Sequence, residues 1–346
     1  MHKRKHIKPL PIIDYSGFNP KPGCIPFAKK HRYFIITGIS ITGDAPKDFI
    51  RYYQFQRDSR IRKAKPKTWP LFLAKHGHKH YPMEAITEHL LNRIGEVFGF
   101  DMAESGLAWF GGQVRFLSKY FLNRPNEQVL DHGADLYAGY LNDREFVEEI
   151  EKLHQSPEYF TVQFTQEVFQ HFFPEDYETL MLEFIKLLVF DALIGNNDRH
   201  FYNWGIIRNI QGKEKPVFSP IYDTARGLFW NDHEDKLKVI YNDKNRLDAF
   251  IKKYSDSSSP KVGWDGFKKL SHFNLVENLK TLPFALNCET LKNICSEAKL
   301  YEVICMIDKE FSQLLSLERR ELIKICLQYR HDCIKKIFNF ASCLKS

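Results

Sequence analysis

FDALIGNNDRHFYNWGII, residues 190–207, followed after a short spacer by VFSPIYDTARG, residues 217–227, is the stretch around which the chain is organised. Its approach, Leu180 to Ile194, is apolar on nearly every face and is interrupted only by Glu183, Lys186 and Asp191, which predicts a helix buried on most sides. Gly195 stops that helix. Asn196, Asn197, Asp198, Arg199 and His200 are turn formers too polar to bury without partners, so a loop held by its own hydrogen bonds is expected next. Loops on rigid supports carry function.

Asp198 is followed five residues later by Asn203, the D-x-x-x-x-N spacing of a phosphotransferase catalytic loop. In such a loop the Asp accepts the proton of the attacking hydroxyl and the Asn reaches back to a magnesium ion, and five residues let a tight loop bring both side chains to one phosphoryl group. Trp204–Arg208 and Val217–Tyr222 flank Gln211-Gly212-Lys213 and predict two short strands joined by a turn. That hairpin ends on Asp223, a carboxylate delivered beside the loop and the natural second ligand for Mg²⁺. An Asp and an Asn at this spacing also arise by chance in turn-rich sequence. The conjunction of a buried helix, the string D-R-H-F-Y-N and a hairpin ending in S-P-I-Y-D singles out phosphoryl transfer, with the catalytic loop at 195–223.

The run LIGNNDRHFYNWGII…SPIYDTARGL resembles the C-terminal kinase domain of the HipA family of bacterial serine/threonine kinases. D-R-H-x-x-N also occurs in phosphoinositide 3- and 4-kinases, but those continue to Asp-Phe-Gly, whereas Tyr222-Asp223-Thr224 follows the HipA form. The resemblance implies an α+β, two-lobed protein-kinase-like fold: an irregular arm over 1–30, a small, mainly β N-lobe over 31–120 and a larger, mainly helical C-lobe over 121–346. It implies ATP and Mg²⁺ as cofactors, Asp198 as base, and Asn203 and Asp223 as metal ligands. His200 joins the catalytic set as a loop-organising residue that bonds backbone or a carboxylate.

Working outward, Tyr33–Ile41 is β-prone and runs into Thr42-Gly43-Asp44. Gly38 to Gly43 has G-x-x-x-x-G spacing, but Asp44-Ala45 stands where a Walker A motif needs Lys-Ser/Thr; Gly43 is left as part of a nucleotide-covering turn. Trp69–Lys75 alternates as a strand, with Leu71 and Leu73 on one face and Phe72 opposite, and ends on Lys75, placed to neutralise α/β-phosphate oxygens. Thr87 opens a helical pattern closed by Gly99. Glu84 and Glu88 fall one turn apart if that helix starts earlier; resemblance to the HipA helix selects Glu88 as the partner of Lys75, with Glu84 favouring the helix N-terminus. Gln113–Leu122 reads as the last small-lobe strand and the hinge, where the resemblance names Lys119 and Phe121 beside the adenine. Residues from Asp131 onward read as helices, Tyr254–Gly263 as a flexible loop with an autophosphorylation site among Ser255, Ser257, Ser258 and Ser259, and Leu275 to the end as a helical lobe.

The 346 residues carry 29 Phe and 16 Tyr, enough for two aromatic-rich cores. The first 70 residues hold 16 Lys and Arg against 4 Asp, so the formal charge of +7 sits at the front. A nucleotide-facing lobe or a solvated surface accounts for that excess, and nucleic acid is not an expected partner. Seven cysteines without a C-x-x-C read as core residues in a reducing cytoplasm. No apolar run reaches the ~18 residues of a membrane span, and the start lacks the apolar segment of a secretory signal. The roughly 74 residues before Lys75 leave little room for the extra N-terminal subdomain of full-length HipA toxins, so an antitoxin partner does not follow. The chain is closer to the short HipA-like kinases, including the cell-translocating pro-inflammatory type. The expectation is therefore a monomeric, autophosphorylating protein serine/threonine kinase, with a lipid or small-molecule kinase and a non-catalytic kinase-like interaction protein as alternatives.

Overall fold

The computed structural model describes residues 20, 23–36, 47–54, 61–77, 83–110, 113–122, 124, 127–267, 269–283 and 288–338. Gly43 and the apolar residues Ile12, Ile13, Tyr15 and Phe18 lie outside them.

The small lobe is an antiparallel sheet of β1 (Tyr33–Ile35), β2 (Lys47–Tyr52), β3 (Leu71–His76), β4 (Ser105–Phe110) and β5 (Gln113–Lys119), in the order β1-β2-β3-β5-β4. Alternation sets its two faces. Ile50, Tyr52, Phe72, Ala74, Ala108, Phe110 and Leu117 bury together on one side, and Leu73 and Lys75 face a cleft on the other. Strand β2 was not anticipated from its half-polar sequence KDFIRY, yet it pairs with β3 so that Lys47 lies directly opposite Lys75. The far end of the expected arm adds to this lobe: Ala28 N donates to Trp109 O (3.0 Å) and Trp109 N to Pro26 O (2.9 Å).

Helix α1 (Met83–Phe98) crosses the sheet, burying Met83, Ile86, Leu90, Leu91, Ile94 and Phe98 along one stripe. It begins at Met83, a turn before the expected Thr87, because Met83, Ala85 and Ile86 also bury and extend the apolar stripe. Glu84 and Glu88 therefore do lie one turn apart on it.

A second sheet, β6 (Gln128–His132), β7 (Gly205–Asn209) and β8 (Val217–Phe218), frames the loop. Gln128–His132 corrects the reading of a helix from Asp131: β7 lines up beside it, Leu130 against Ile207, and the helix waits until Gly133. Helices α2 (Gly133–Leu141), α3 (Arg144–Lys152), α4 (Ser156–Tyr159) and α5 (Val162–Phe172) follow, and then the central α6 (Tyr177–Ile194), buried almost throughout its second half. Then come α7 (Glu234–Tyr241), α8 (Lys244–Ser257), α9 (His272–Leu279), α10 (Glu289–Ile294), α11 (Glu297–Glu310) and α12 (Leu317–Phe338); α9, α10 and α12 pack on α6, and α7, α8 and α11 on α12.

The serine-rich stretch after Tyr254 is a correction. Ser255 and Ser257 end α8, and Ser255 and Ser258 are buried. The Ser258 hydroxyl lies 3.0 Å from Ser255 O and accepts from Arg330 (2.9 Å), so its polarity is met inside the protein rather than by solvent. Ser257 and Ser259 remain exposed. Among the described residues no helix is long and apolar enough to cross a membrane.

Gly195 closes α6 at φ +66°, the left-handed conformation that ends helices, and a Cβ there would lie 2.8 Å from the Tyr254 hydroxyl. Gly195→Ala is expected to destabilise the fold by about 1–3 kcal/mol, read as a lower midpoint in thermal unfolding. An unchanged midpoint would show that this glycine does not set the helix end.

Candidate active site

The loop after α6 is tied down by a pair the sequence reading passed over. Asp191, in the last turn of α6, and Arg199 each have only 1% of the side chain exposed. Arg199 Nε donates to Asp191 Oδ2 (2.9 Å), Nη2 to Asp191 Oδ1 (3.1 Å) and Nη1 to Asn203 O (2.8 Å) and to Tyr222 O. Asn196 Nδ2 adds a bond to Asp191 Oδ1 (2.9 Å). One guanidinium thus joins the helix, the loop and the strand end that precedes Asp223. A buried charge pair is tolerated only with this degree of satisfaction.

Within the loop, Asp198 N donates to Asn196 Oδ1 (3.1 Å), and Asp198 O accepts from His200 N (3.0 Å) and Asn203 Nδ2 (2.9 Å). His200 Nδ1 accepts from Tyr202 N (3.3 Å), and its Nε2 lies 3.2 Å from the Asn203 amide nitrogen, so the ring packs against the loop's own amides. With its nitrogen engaged, Asn203 has its amide oxygen as the donor for a metal. The Asp198 carboxylate is a third exposed and faces Arg226 Nε at 3.3 Å.

Across the cleft, Lys75 Nζ sits 2.6 Å from Glu88 Oε1 and 3.1 Å from Asp223 Oδ1. Of the two glutamates, Glu88 is the one that meets Lys75; Glu84 lies 4.0 Å from Arg226 instead. Lys47 is a further cation unforeseen in the sequence, 3.7 Å from Asp223 Oδ2. Burial pushes the Asp223 carboxyl up, but Lys75, Lys47 and Arg199 outweigh it and hold the group well below the usual carboxylate range. Burial opposes charge on Lys75, yet Asp223 and Glu88 keep its ammonium above the ordinary lysine value. Burial pushes Glu88 up to about 7, against the pull of Lys75.

Asp223 is also held in the left-handed region at φ 56°, a conformation non-glycine residues rarely adopt. Its flanks fix it there. Arg199 grips Tyr222 O, and the Thr224 hydroxyl donates to Asn92 Oδ1 of α1 (2.8 Å), whose amide in turn donates to Ala103 O (3.0 Å).

These groups line one cleft of about 1030 Å³ between the lobes. Phe121 is on its wall, 5.7 Å from the Tyr222 ring and 6.4 Å from that of Tyr120. Lys119 is at the rim with its amine paired to Glu104. The site has hard oxygen donors on Asp198, Asn203 and an ionised Asp223, and two lysines on the facing strands. That donor set suits Mg²⁺ with a phosphate chain, and Asp223 and Asn203 are the residues that would hold the metal.

A small antiparallel lobe, a helical lobe and a cleft carrying a Lys–Glu pair opposite an Asp/Asn loop define a protein-kinase-like protein. Residues 39–282 match the HipA-like C-terminal domain, and the chain belongs to that family. It is 27% identical over 223 residues to a Haemophilus influenzae protein described as a kinase candidate, a match covering 61% of this chain and 60% of that one. It is 22% identical over 173 residues to the serine/threonine-protein kinase CtkA of Helicobacter pylori, covering 46% of this chain and 52% of that one. The chain thus spans between half and three fifths of the length of these relatives. The crystal structure of the H. pylori proinflammatory kinase CtkA is similar in fold, with a TM-score of 0.62 at 15% identity, over 86% of this chain and 95% of that one.

Behind the loop, the fully buried His272 holds Asn196 O through Nε2 (3.0 Å) and Ser258 Oγ through Nδ1 (3.1 Å). Burial, then the nearby Arg330, lowers its pKa from 6.5 to about 3. Below pH 6.5 the unfolded chain takes up a proton that the folded chain refuses, so this residue withdraws stability as pH falls from about 6.5 towards 3. Denaturant unfolding at pH 7 and pH 5 is expected to show a larger loss for the wild type than for His272→Gln; equal losses would mean that His272 titrates normally.

Proposed function

We propose that the chain is an ATP- and Mg²⁺-dependent protein serine/threonine kinase. The observation that carries this reading is the convergence of Lys75, Glu88 and Asp223 on one wall of the cleft with Asp198 and Asn203 on the other. Bound Mg²⁺ supplies charge neutralisation between the phosphates. Glu88 orients Lys75, whose ammonium, with that of Lys47, receives phosphate oxygens once the phosphate chain competes for them with Asp223. Asp223 and Asn203 would hold the metal through oxygen atoms. Asp198 accepts a hydrogen bond from the acceptor hydroxyl, lines it up with the γ-phosphorus and takes its proton late in the transfer. The left-handed backbone of Asp223 fits a carboxylate locked in place before the ligand arrives.

A protein acceptor is favoured because the chain belongs to the HipA-like family and a relative is named a serine/threonine-protein kinase. If the chain phosphorylates itself in the stretch after Tyr254, Ser257 and Ser259 are the accessible acceptors.

The test is γ-labelled ATP with the wild type, Asp198→Asn and Asp223→Asn. Asp198→Asn is expected to bind Mg²⁺–ATP within a few-fold of wild type while transfer falls by ~10³-fold or more. Asp223→Asn, which keeps the shape and loses the charge, is expected to lose Mg²⁺-dependent binding as well. Transfer near wild type by a folded Asp198→Asn protein would remove it as the base. Label recovered in extracted lipid rather than phosphoserine or phosphothreonine would replace the protein acceptor with a lipid one.

A further inference from the structure

Arg226 lies three residues past Asp223 and is absorbed by none of the roles above. Its Nε is 3.3 Å from Asp198 Oδ2 and 4.0 Å from Glu84 Oε1, and its guanidinium carbon sits 5.0 Å from the centre of the Trp230 ring. Glu84 belongs to α1, in the first turn, one turn before Glu88. Asp198 belongs to the loop that Arg199 anchors to the other lobe. Arg226 is therefore the cation between a carboxylate of the small-lobe helix and the carboxylate proposed to receive the acceptor hydroxyl.

Resting on the kinase reading of the cleft, we propose that Arg226 is a positioning residue that couples the placement of α1 to the aim of Asp198. By taking Oδ2, Arg226 turns Oδ1 of Asp198 towards the acceptor hydroxyl. The Trp230 ring under the guanidinium limits where it can stand, with Nε between the two carboxylates. Glu84 fixes where the guanidinium stands, so α1 acts on the site twice: through Glu88 on the nucleotide side and through Glu84 and Arg226 on the acceptor side. In-line transfer is sensitive to displacements well below the length of a hydrogen bond, so misaiming Asp198 slows turnover without loosening the nucleotide.

The Arg226–Asp198 pair contributes little to folding. Arg226 is 38% exposed and Asp198 33%, and solvent screens an ion pair at that exposure. The effect is to be sought in turnover, and it separates from a structural role there.

The experiment measures kcat, the KM for Mg²⁺–ATP and the thermal midpoint for Arg226→Gln, Arg226→Lys, Glu84→Gln and the Arg226→Gln/Glu84→Gln double variant, with Asp198→Asn alongside. Arg226→Gln is expected to lower kcat by ~30- to 100-fold with KM within ~3-fold and an unchanged midpoint. Arg226→Lys recovers part of that loss. Glu84→Gln lowers kcat by ~3- to 10-fold alone and by little more on top of Arg226→Gln, the non-additivity of residues acting through one another. If Asp198→Asn is inactive but Arg226→Gln turns over like wild type, the positioning role falls and the kinase reading stands. Full multiplication of the Glu84 and Arg226 effects overturns the link to α1, as does a loss that tracks a lowered midpoint or weakened ATP binding. An active Asp198→Asn variant removes the base assignment and this inference together.

Discussion

The Asp191–Arg199 pair is the interaction on which the rest of the site depends. Two opposite charges removed from water are favourable only when every donor and acceptor is matched, and here the guanidinium meets both carboxylate oxygens and two backbone carbonyls. Removing one partner would strand the other at a cost of about 3–5 kcal/mol. The two carbonyls are those of Asn203 and Tyr222, one a proposed metal ligand and the other the residue before the second. The same side chain thus sets the distance between the loop and the hairpin end. Gly195, at the end of α6, lets the chain turn into that loop, and Tyr254 and His272 brace the turn from behind, through Gly195 O and Asn196 O.

The facing wall is governed by electrostatics of a different kind. Lys75 is shared by Glu88 and Asp223, with Lys47 completing a cluster of two lysines and two carboxyl groups. The lysines and Arg199 hold Asp223 ionised at the cleft wall, against the desolvation that would otherwise raise it. On the proposed function, this cluster would exchange partners, a phosphate chain taking the lysines as a divalent cation takes Asp223. The helix that carries Glu88 is itself held to the C-terminal helices, Arg93 bonding both oxygens of Glu310 on α11 (2.9 and 3.0 Å). That contact fixes α1 from the side opposite the cleft.

Much of this was legible in the sequence where local pattern decides structure. The apolar run 180–194, its terminal glycine and the alternation in Leu71–Lys75 are consequences of period and composition, and the structure has them within a residue or a turn. The choice of Glu88 over Glu84 needed the family resemblance, since spacing alone leaves two glutamates one turn apart. Strands β2 and β6 were missed because their residues alternate between cleft and sheet without the apolar signal of a buried strand. The serine stretch misled for the converse reason: the Ser258 hydroxyl, met by Arg330 and His272, reads as solvent-loving until its partners are seen. Partner choice is tertiary. Asp191 looked like an interruption in an apolar helix, although a lone carboxylate there, eight residues before an arginine, was the available sign of the buried pair. Nothing in the sequence marked Arg226 or Lys47.

The central claim is that this cleft receives a phosphate chain together with a divalent cation. Calorimetric titration of ATP into the wild-type protein, with Mg²⁺ and with a chelator, tests it most directly. The account predicts binding at least ~10-fold tighter with Mg²⁺, because Asp223 and Asn203 would contribute to nucleotide binding by holding the ion. Absence of binding in the presence of Mg²⁺, or equal affinity in the chelator, would contradict it.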